Sequence, residues 1–574
     1  MLEGMGKWML VAAIAVSGVG LATTPADACG GFFCSQVPID QAGEDVVFTF
    51  DPLTGDVTAT IRIFYAGDAE DFAWVIPVTV APKITIAPLA LFDQLRWRTQ
   101  PNYYVNWTEG GECSPFYRMF DAEAAPAMAG GRQTSDDGVE VIDSQDVGSY
   151  ETVTLKSDDP EALYKYLNEN GFDQPPESLP LIEHYVANNM LFVAIKLKSG
   201  ASVGEIQPVS LEMKGSNDPC VPLILTRIAA TPDMPVRVWV LGKERAVPTN
   251  WLHVVLNEKK IDWFNYGSNY NDVVTQAVNE ASGRAFVTEF AGELENTEKM
   301  LYWDGRFDLE TLKTIDDPAK FVQQLLNQGF PRSPLMQQLI REHIPMPQVL
   351  IDQGVTERDF YNNLEQYYVY LVEIDFDPGA FTEEVEERIV QPLKDAQAAI
   401  DENPYVTRIF TTVSPDEMTR DPLFDYNGDL PDVSNQHVAT AEAICGEEDD
   451  SIIAKIIVTF EDGEVWELAG PFDPWNIDIG DVDPTEPAAK RIELLGKSGP
   501  PTLVASWMVD AVDRDLDNIE PSAVLDGLAS SAGSAQAKTS VFGCSGASQS
   551  LPLLGGFAIL ALFGLAWLRR RREN

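Results

Sequence analysis

The chain closes on Leu551 to Leu568, an uncharged and mostly apolar run followed at once by Arg569, Arg570, Arg571 and Arg572. At about 1.5 Å of helical rise per residue, such a run just crosses a hydrocarbon core of about 30 Å. Arginine clusters stay on the cytoplasmic side. The sequence therefore predicts one transmembrane helix over 551–568, a basic cytoplasmic tail over 569–574, and everything earlier outside. The other end agrees. Lys7 precedes an apolar run from Trp8 to Ala22, and Ala26 and Ala28 supply the small residues of a cleavage site. A signal peptide over 1–28, cut after Ala28, is expected, with Met5 open as an alternative start. Cys29 then begins the mature chain. No Leu stands in the three residues before it, so ordinary processing is expected rather than a lipoprotein signal.

Between these ends lies a chain long enough for two or three domains with buried cores, and its 45% hydrophobic content is that of a globular protein. Its 89 acidic and 40 basic residues give a net charge of −49. A surface this negative repels phosphate backbones and anionic lipid headgroups, so nucleic acid is excluded as a partner. The membrane is reached through the C-terminal helix or a lipid. Divalent cations and basic partners are favoured, although carboxylates that simply keep an exported protein soluble account for the charge as well.

The fold class expected is α+β. Val46–Phe50 and Val57–Tyr65 flank the turn-forming Asp51–Asp56 and read as a hairpin, with Ala59, Ile61, Ile63 and Tyr65 on one face. Phe72–Val78 is a further strand. Pro101–Gly138 has no period and reads as loop; its Asn106-Trp107-Thr108 is taken as a chance triplet. Val139–Leu155 is β-like. Asp159 and Pro160 start a helix that Gly171 closes. A short helix over Leu181–Ala187 leads to a strand over Leu191–Leu197, with strands following at Pro222–Ile228 and Val236–Leu241 and a helix at Asn271–Ala281. These form an α+β domain over 29–292. Residues 293–403 turn helical. A mixed helix and β region over 404–527 follows, where Ser414-Pro415-Asp416-Glu417 signals a helix start and Asp462-Gly463 a hairpin. Leu528–Gly543, rich in Ser, Ala and Gly, begins a flexible stalk over 528–550.

An exported chain permits disulfides. The four residues between Cys29 and Cys34 suit neither a redox pair nor zinc, so a local disulfide is preferred there, and Cys113 with Cys220 is the pairing guessed next. With Cys445 the outer cysteines number five, which leaves one thiol over.

Signs of chemistry are sparse. His184, His253, His343 and His437 stand on separate elements without ligand spacing, and no nucleophile elbow, P-loop or dinucleotide fingerprint occurs. Asp513, Asp515, Asp517 and Glu520 begin like a calcium loop, but Asn518 and Val524 occupy positions that need Gly and Glu. Asp425–Asp429 and Asp478–Asp483 are acidic loops that suit calcium weakly. No cofactor is expected beyond that possible calcium, and no catalytic or metal residue is assigned. Trp74, Trp107, Trp239 and Trp251 are read as core.

Two resemblances add to this. Cys544 ahead of the apolar helix and the arginine run resembles the myxobacterial-type C-terminal sorting tail, which implies cutting near Cys544, lipidation of the new end and transfer to the cell surface. Ala28-Cys29-Gly30-Gly31-Phe32-Phe33-Cys34, Phe72–Val78, Val147–Tyr150, Leu167–Phe172, Pro222–Ile228 and Ala285–Gly292 together resemble the bacterial family called domain of unknown function 2330, with Thr407–Phe424 as a further segment. That resemblance implies an exported envelope protein and assigns no activity. The expected role is non-enzymatic binding or scaffolding at the membrane or cell surface. An exported hydrolase and a calcium-stabilised adhesin are the alternatives.

Overall fold

Alternating side chains carry the first hairpin. β1 (Phe32–Phe33) is followed by β2 (Asp40–Asp51) and β3 (Asp56–Ala66), which pair antiparallel from Asp40 opposite Ala66 to Asp51 opposite Asp56. The structure is a computed structural model that describes residues 32–33, 40–66, 73–108, 140–172, 174–197, 206–217, 219–445, 453–472, 477 and 486–517. The expected signal peptide, stalk, transmembrane helix and basic tail lie outside the described residues. Among the described residues no helix is long and apolar enough to cross a membrane.

Onward from β3 run β4 (Ala73–Val78), β5 (Lys83–Ile86), α1 (Leu89–Thr99), β6 (Asn102–Trp107), β7 (Glu140–Val147), β8 (Tyr150–Lys156), α2 (Pro160–Glu169), α3 (Leu179–Ala187), β9 (Leu191–Leu197), β10 (Val209–Met213) and α4 (Leu223–Thr226). Then come β11 (Met234–Gly242), β12 (Ala246–Pro248), β13 (Leu252–Leu256), α5 (Tyr270–Glu280) and β14 (Ala285–Glu293). The helical stretch holds α6 (Leu309–Leu312), α7 (Pro318–Asn327), α8 (Pro334–His343), α9 (Gln348–Asp352), α10 (Glu357–Asn362), α11 (Tyr368–Leu371), α12 (Pro378–Val385) and α13 (Gln391–Glu402). The chain then returns to strands: β15 (Tyr405–Val413), β16 (Phe424–Tyr426), β17 (Gln436–Cys445), β18 (Ile453–Thr459), β19 (Val465–Phe472), β20 (Ala489–Leu494) and β21 (Thr502–Leu503), closed by α14 (Val509–Leu516).

The mixed α+β class is as expected, and the topology shows how its parts are threaded. A ten-stranded sheet has the order β21-β20-β13-β14-β15-β11-β2-β3-β10-β5. β15 therefore lies in its middle, antiparallel to both β11 and β14. The late strands are not a separate body: β16 pairs with β12, β17 with β6, and β20 with β13. The helical stretch is a lobe inserted between two neighbouring strands, and its ends meet where Leu294 N donates to Pro404 O at 3.1 Å.

Period-two alternation sorts the sheet into two faces. Val46, Phe48, Val236, Val238 and Ile409 face a five-stranded sheet, β1-β4-β9-β8-β7, through Trp74, Ile76, Val193 and Ile195, and α2 and α3 cover that sheet's far side. Val47, Trp239, Leu241 and Val406 face the other way, onto α1 and the helical lobe. At the far end α5 and the four-stranded sheet β19-β18-β17-β6 enclose a third core. The lobe's base is fixed by charge as well as by packing. Asp45 is fully buried and accepts from Arg96 of α1 at 2.8 Å and from Arg237 at 2.7 Å. Beside it Arg408 pairs with buried Glu289 and lies over Trp239, whose Nε1 donates to Thr99 at 3.0 Å.

Helix starts follow a shared grammar. Asp159-Pro160, Asp317-Pro318, Ser333-Pro334 and Asp377-Pro378 each place a capping side chain before a proline in the first turn. Ser414-Pro415 breaks the rule. Only half of its capping box forms, with Ser414 N donating to Glu417 Oε2 at 2.6 Å while the Ser414 hydroxyl turns to Asp233, and no helix follows, because Met418, Arg420 and Asp421 are drawn into the core instead. Two further expectations are corrected. Pro222–Ile228 is no strand but carries the short helix α4, whose Leu223 and Leu225 enter different cores; an apolar run of this length has no period to separate the two. Pro101–Gly138 contains β6, whose parallel partner β17 is far away in the chain.

Candidate functional site

A cavity of about 790 Å³ opens in the helical lobe between α7, α8, α10 and the turn at Leu364–Gln366. Amphipathic helices build it. Val322 and Leu325 of α7, Phe330 after it, Met336 of α8 and Leu364 are buried and form the floor, with Leu326, Ile340 and Tyr361 half-buried on the walls. Tyr361 donates to Ile344 O at 3.2 Å, and burial, then the nearby Glu357, pushes its phenol up. The rim is polar: Arg332, Arg341 and Arg358, the amides of Gln323, Gln337 and Asn362, and Glu357 and Glu365. Arg341 Nε approaches Glu357 at 3.6 Å. Neither Arg332 nor Arg358 has a carboxylate at ion-pair distance among the described residues. A volume in the range of small-molecule sites, an apolar floor and a few converging polar groups together suit ligand retention.

None of these residues carries a recognisable site motif in the sequence. In the sequence the stretch shows helix periodicity, and the one signal of a site is that three of the five arginines between 293 and 403 are the three at this rim.

A second concentration of polar groups is sealed in the core between the two large sheets. Asp421 accepts from Tyr185 and, at 2.9 Å, from Ile224 N, while Glu44 accepts from Gln41 at 3.2 Å. Burial pushes both carboxyls up to about 7, and for Glu44 the charges of Asp45 and Asp421 add to that rise. Glu44 and Asp421 are 3% and 0% exposed, so they act on stability rather than on a ligand.

The four histidines occupy four places. His253 is buried between Glu493 and Thr288 and burial lowers its pKa; His437 stacks on Tyr103 and meets Glu258 at 2.9 Å; His343 stacks on Phe381 near Glu384; His184 is lowered by burial on α3. Among the described residues no three His, Cys, Asp or Glu gather as a metal site. The carboxylates read as calcium loops have other partners. Asp425 pairs with Lys497 at 2.5 Å, and Asp429 accepts from Gly499 N at 2.7 Å. Asp513 and Asp515 lie in α14, where Asp513 binds Arg284 and Arg420; Glu520 and Asp478–Asp483 lie outside the described residues. Trp74, Trp239 and Trp251 are buried, and Trp107 packs against the third core.

Cys220 and Cys445 are both disulfide-bonded. Cys29, Cys34, Cys113, Cys544 and the cleavage residue Ala28 lie outside the described residues.

Residues 24–305 match a family described as an uncharacterized protein conserved in bacteria, domain of unknown function 2330. The match stops just inside the helical lobe, short of the cavity. No curated protein and no solved structure matches the chain.

Proposed function

We propose that the chain is an exported, non-enzymatic binding protein of the bacterial envelope, held at the membrane or cell surface by its C-terminus, with its ligand seat in the helical lobe. The cavity of about 790 Å³ carries this reading. The termini support the placement: an apolar N-terminal run with small residues at Ala26 and Ala28, and Leu551–Leu568 before four arginines. Cys544 ahead of that helix supports the finer proposal that the tail is cut and the new end lipidated. Net charge −49 turns the protein away from nucleic acid.

The test is mass spectrometry on the protein recovered from its native membrane fraction. Intact mass should begin at Cys29 and end either near Cys544 with a lipid increment or at Asn574; a chain beginning at Met1 refutes export. Denaturing release should yield a small molecule from the wild type and much less from Leu326→Trp, whose indole intrudes into the cavity from its wall. Equal yields from both, or none from either, refute the cavity as the seat.

A further inference from the structure

Building on that reading of the cavity, we propose that its ligand is an amphipathic anion, an apolar body ending in one carboxylate or phosphate head. Carboxylates outnumber cations more than two to one in this chain, and they engage arginines across the described surface: Arg62 with Asp93, Arg388 with Glu384, Arg491 with Glu493. Arg332 and Arg358 escape this, and both open on the same cavity. Arg341, the third, is approached by Glu357 only at 3.6 Å, and that Glu357 is 67% exposed. Guanidinium groups suit carboxylate and phosphate oxygens, to which they donate in paired, planar geometry. Below them lies the apolar floor of Leu325, Phe330 and Met336, which needs an apolar body rather than a bare ion.

The acidity of the whole chain does not oppose this. At physiological ionic strength charges are screened over about 8 Å, so a single head at the rim responds to the three arginines and to Glu357 and Glu365 beside them, a local balance that is still positive, and little to distant carboxylates. A polyanion would extend past that radius and meet the rest of the surface. Local charge therefore selects a single compact anionic head while net charge rejects nucleic acid.

The experiment uses the full chain in nanodiscs of phosphatidylcholine, photolabelled with diazirine-bearing octanoate and, separately, diazirine-bearing octanol, with labelled peptides mapped. The octanoate probe should label residues 319–366, and octanoate or octyl phosphate should compete at about tenfold lower concentration than octanol. Whichever anion competes better identifies the head. In the Arg332→Gln/Arg358→Gln double variant, which keeps only Arg341, this preference should fall severalfold while the octanol probe still labels 319–366, which shows the lobe folded. Equal competition by octanol in the wild type, or an undiminished preference in the double variant, overturns the anion assignment and leaves the cavity standing. Absence of label from 319–366 with both probes overturns the cavity itself.

Discussion

Tyr185 donates its phenolic hydrogen to Asp421, whose two carboxyl oxygens lie 3.1 and 2.9 Å away, joining α3 to a segment 236 residues later. Asp421 and Glu44 both stand at about 7 in the folded protein, against ordinary values of 3.8 and 4.5. Between about pH 4 and 7 the folded state thus keeps protons that the unfolded chain has lost. Stability from these groups falls as pH rises through that window, by about 1.4 kcal/mol per pH unit for each. Urea midpoints should be higher at pH 5.5 than at pH 8. Asp421→Asn keeps an oxygen for Tyr185 and for Ile224 N and should roughly halve the slope; an unchanged slope would mean that Asp421 is charged throughout.

Arg420 is 1% exposed and holds α14 to the core. Its guanidinium donates to Asn250 O at 2.6 Å and to Asp513 O at 2.7 Å, and it pairs with the carboxylates of Asp513 and Asp517. Removing one partner of a buried pair costs up to about 3–5 kcal/mol where the other charge is left uncompensated, and here Asp513 keeps Arg284 while Asp517 is partly exposed, so the loss sits at or just below the lower end of that range. Arg420→Ala should lose about 2–3 kcal/mol in chemical denaturation, and hydrogen exchange across Val509–Leu516 should accelerate. Protection equal to wild type there would show that α14 is held by its apolar face alone.

Gly242 ends β11 against the ring of Tyr426, which stacks on Phe50 at 4.1 Å; a Cβ at 242 would come within 2.5 Å of that ring. Gly242→Ala should therefore cost about 1–3 kcal/mol by overpacking. In a Tyr426→Ala background the cost should nearly disappear, a non-additivity that a double-mutant cycle reads directly. Additive losses would place the strain in the backbone instead.

Cys445 ends β17, which runs parallel to β6, with Thr108 N donating to Ala441 O at 3.0 Å. Cys113 follows Thr108 by five residues and Cys445 follows Ala441 by four, so Cys113–Cys445 is the expected bridge. Cys220, packed beside the core that includes Val75, is then left for Cys29 or Cys34. Non-reducing peptide mapping decides. A Cys113–Cys220 or Cys29–Cys34 peptide would refute this pairing and support the one suggested by sequence spacing.

Local signals were legible where local physics decides. Asp159 caps α2 through Glu161 N and Ala162 N, Gly463 turns the β18–β19 hairpin with φ of +84°, and the β2–β3 register follows its alternation. Long-range pairing was not. Nothing in Tyr405–Val413 by itself says that it fits between β11 and β14, because its partners are set by tertiary burial on both faces. The cavity was equally hidden, since its floor reads as ordinary helix faces and only the position of Arg332, Arg341 and Arg358 sets it apart.

The central place of β15 has a consequence for vectorial folding. A chain that emerges N-terminus first presents β11 and β14 long before Thr407 and Phe410 arrive to join them. Until then both strands carry open hydrogen-bonding edges next to exposed valines, the arrangement most prone to pair with another chain. The interval before the eighth lobe helix has passed and the gap is filled is therefore the stage of synthesis at which pairing with another copy is most favoured.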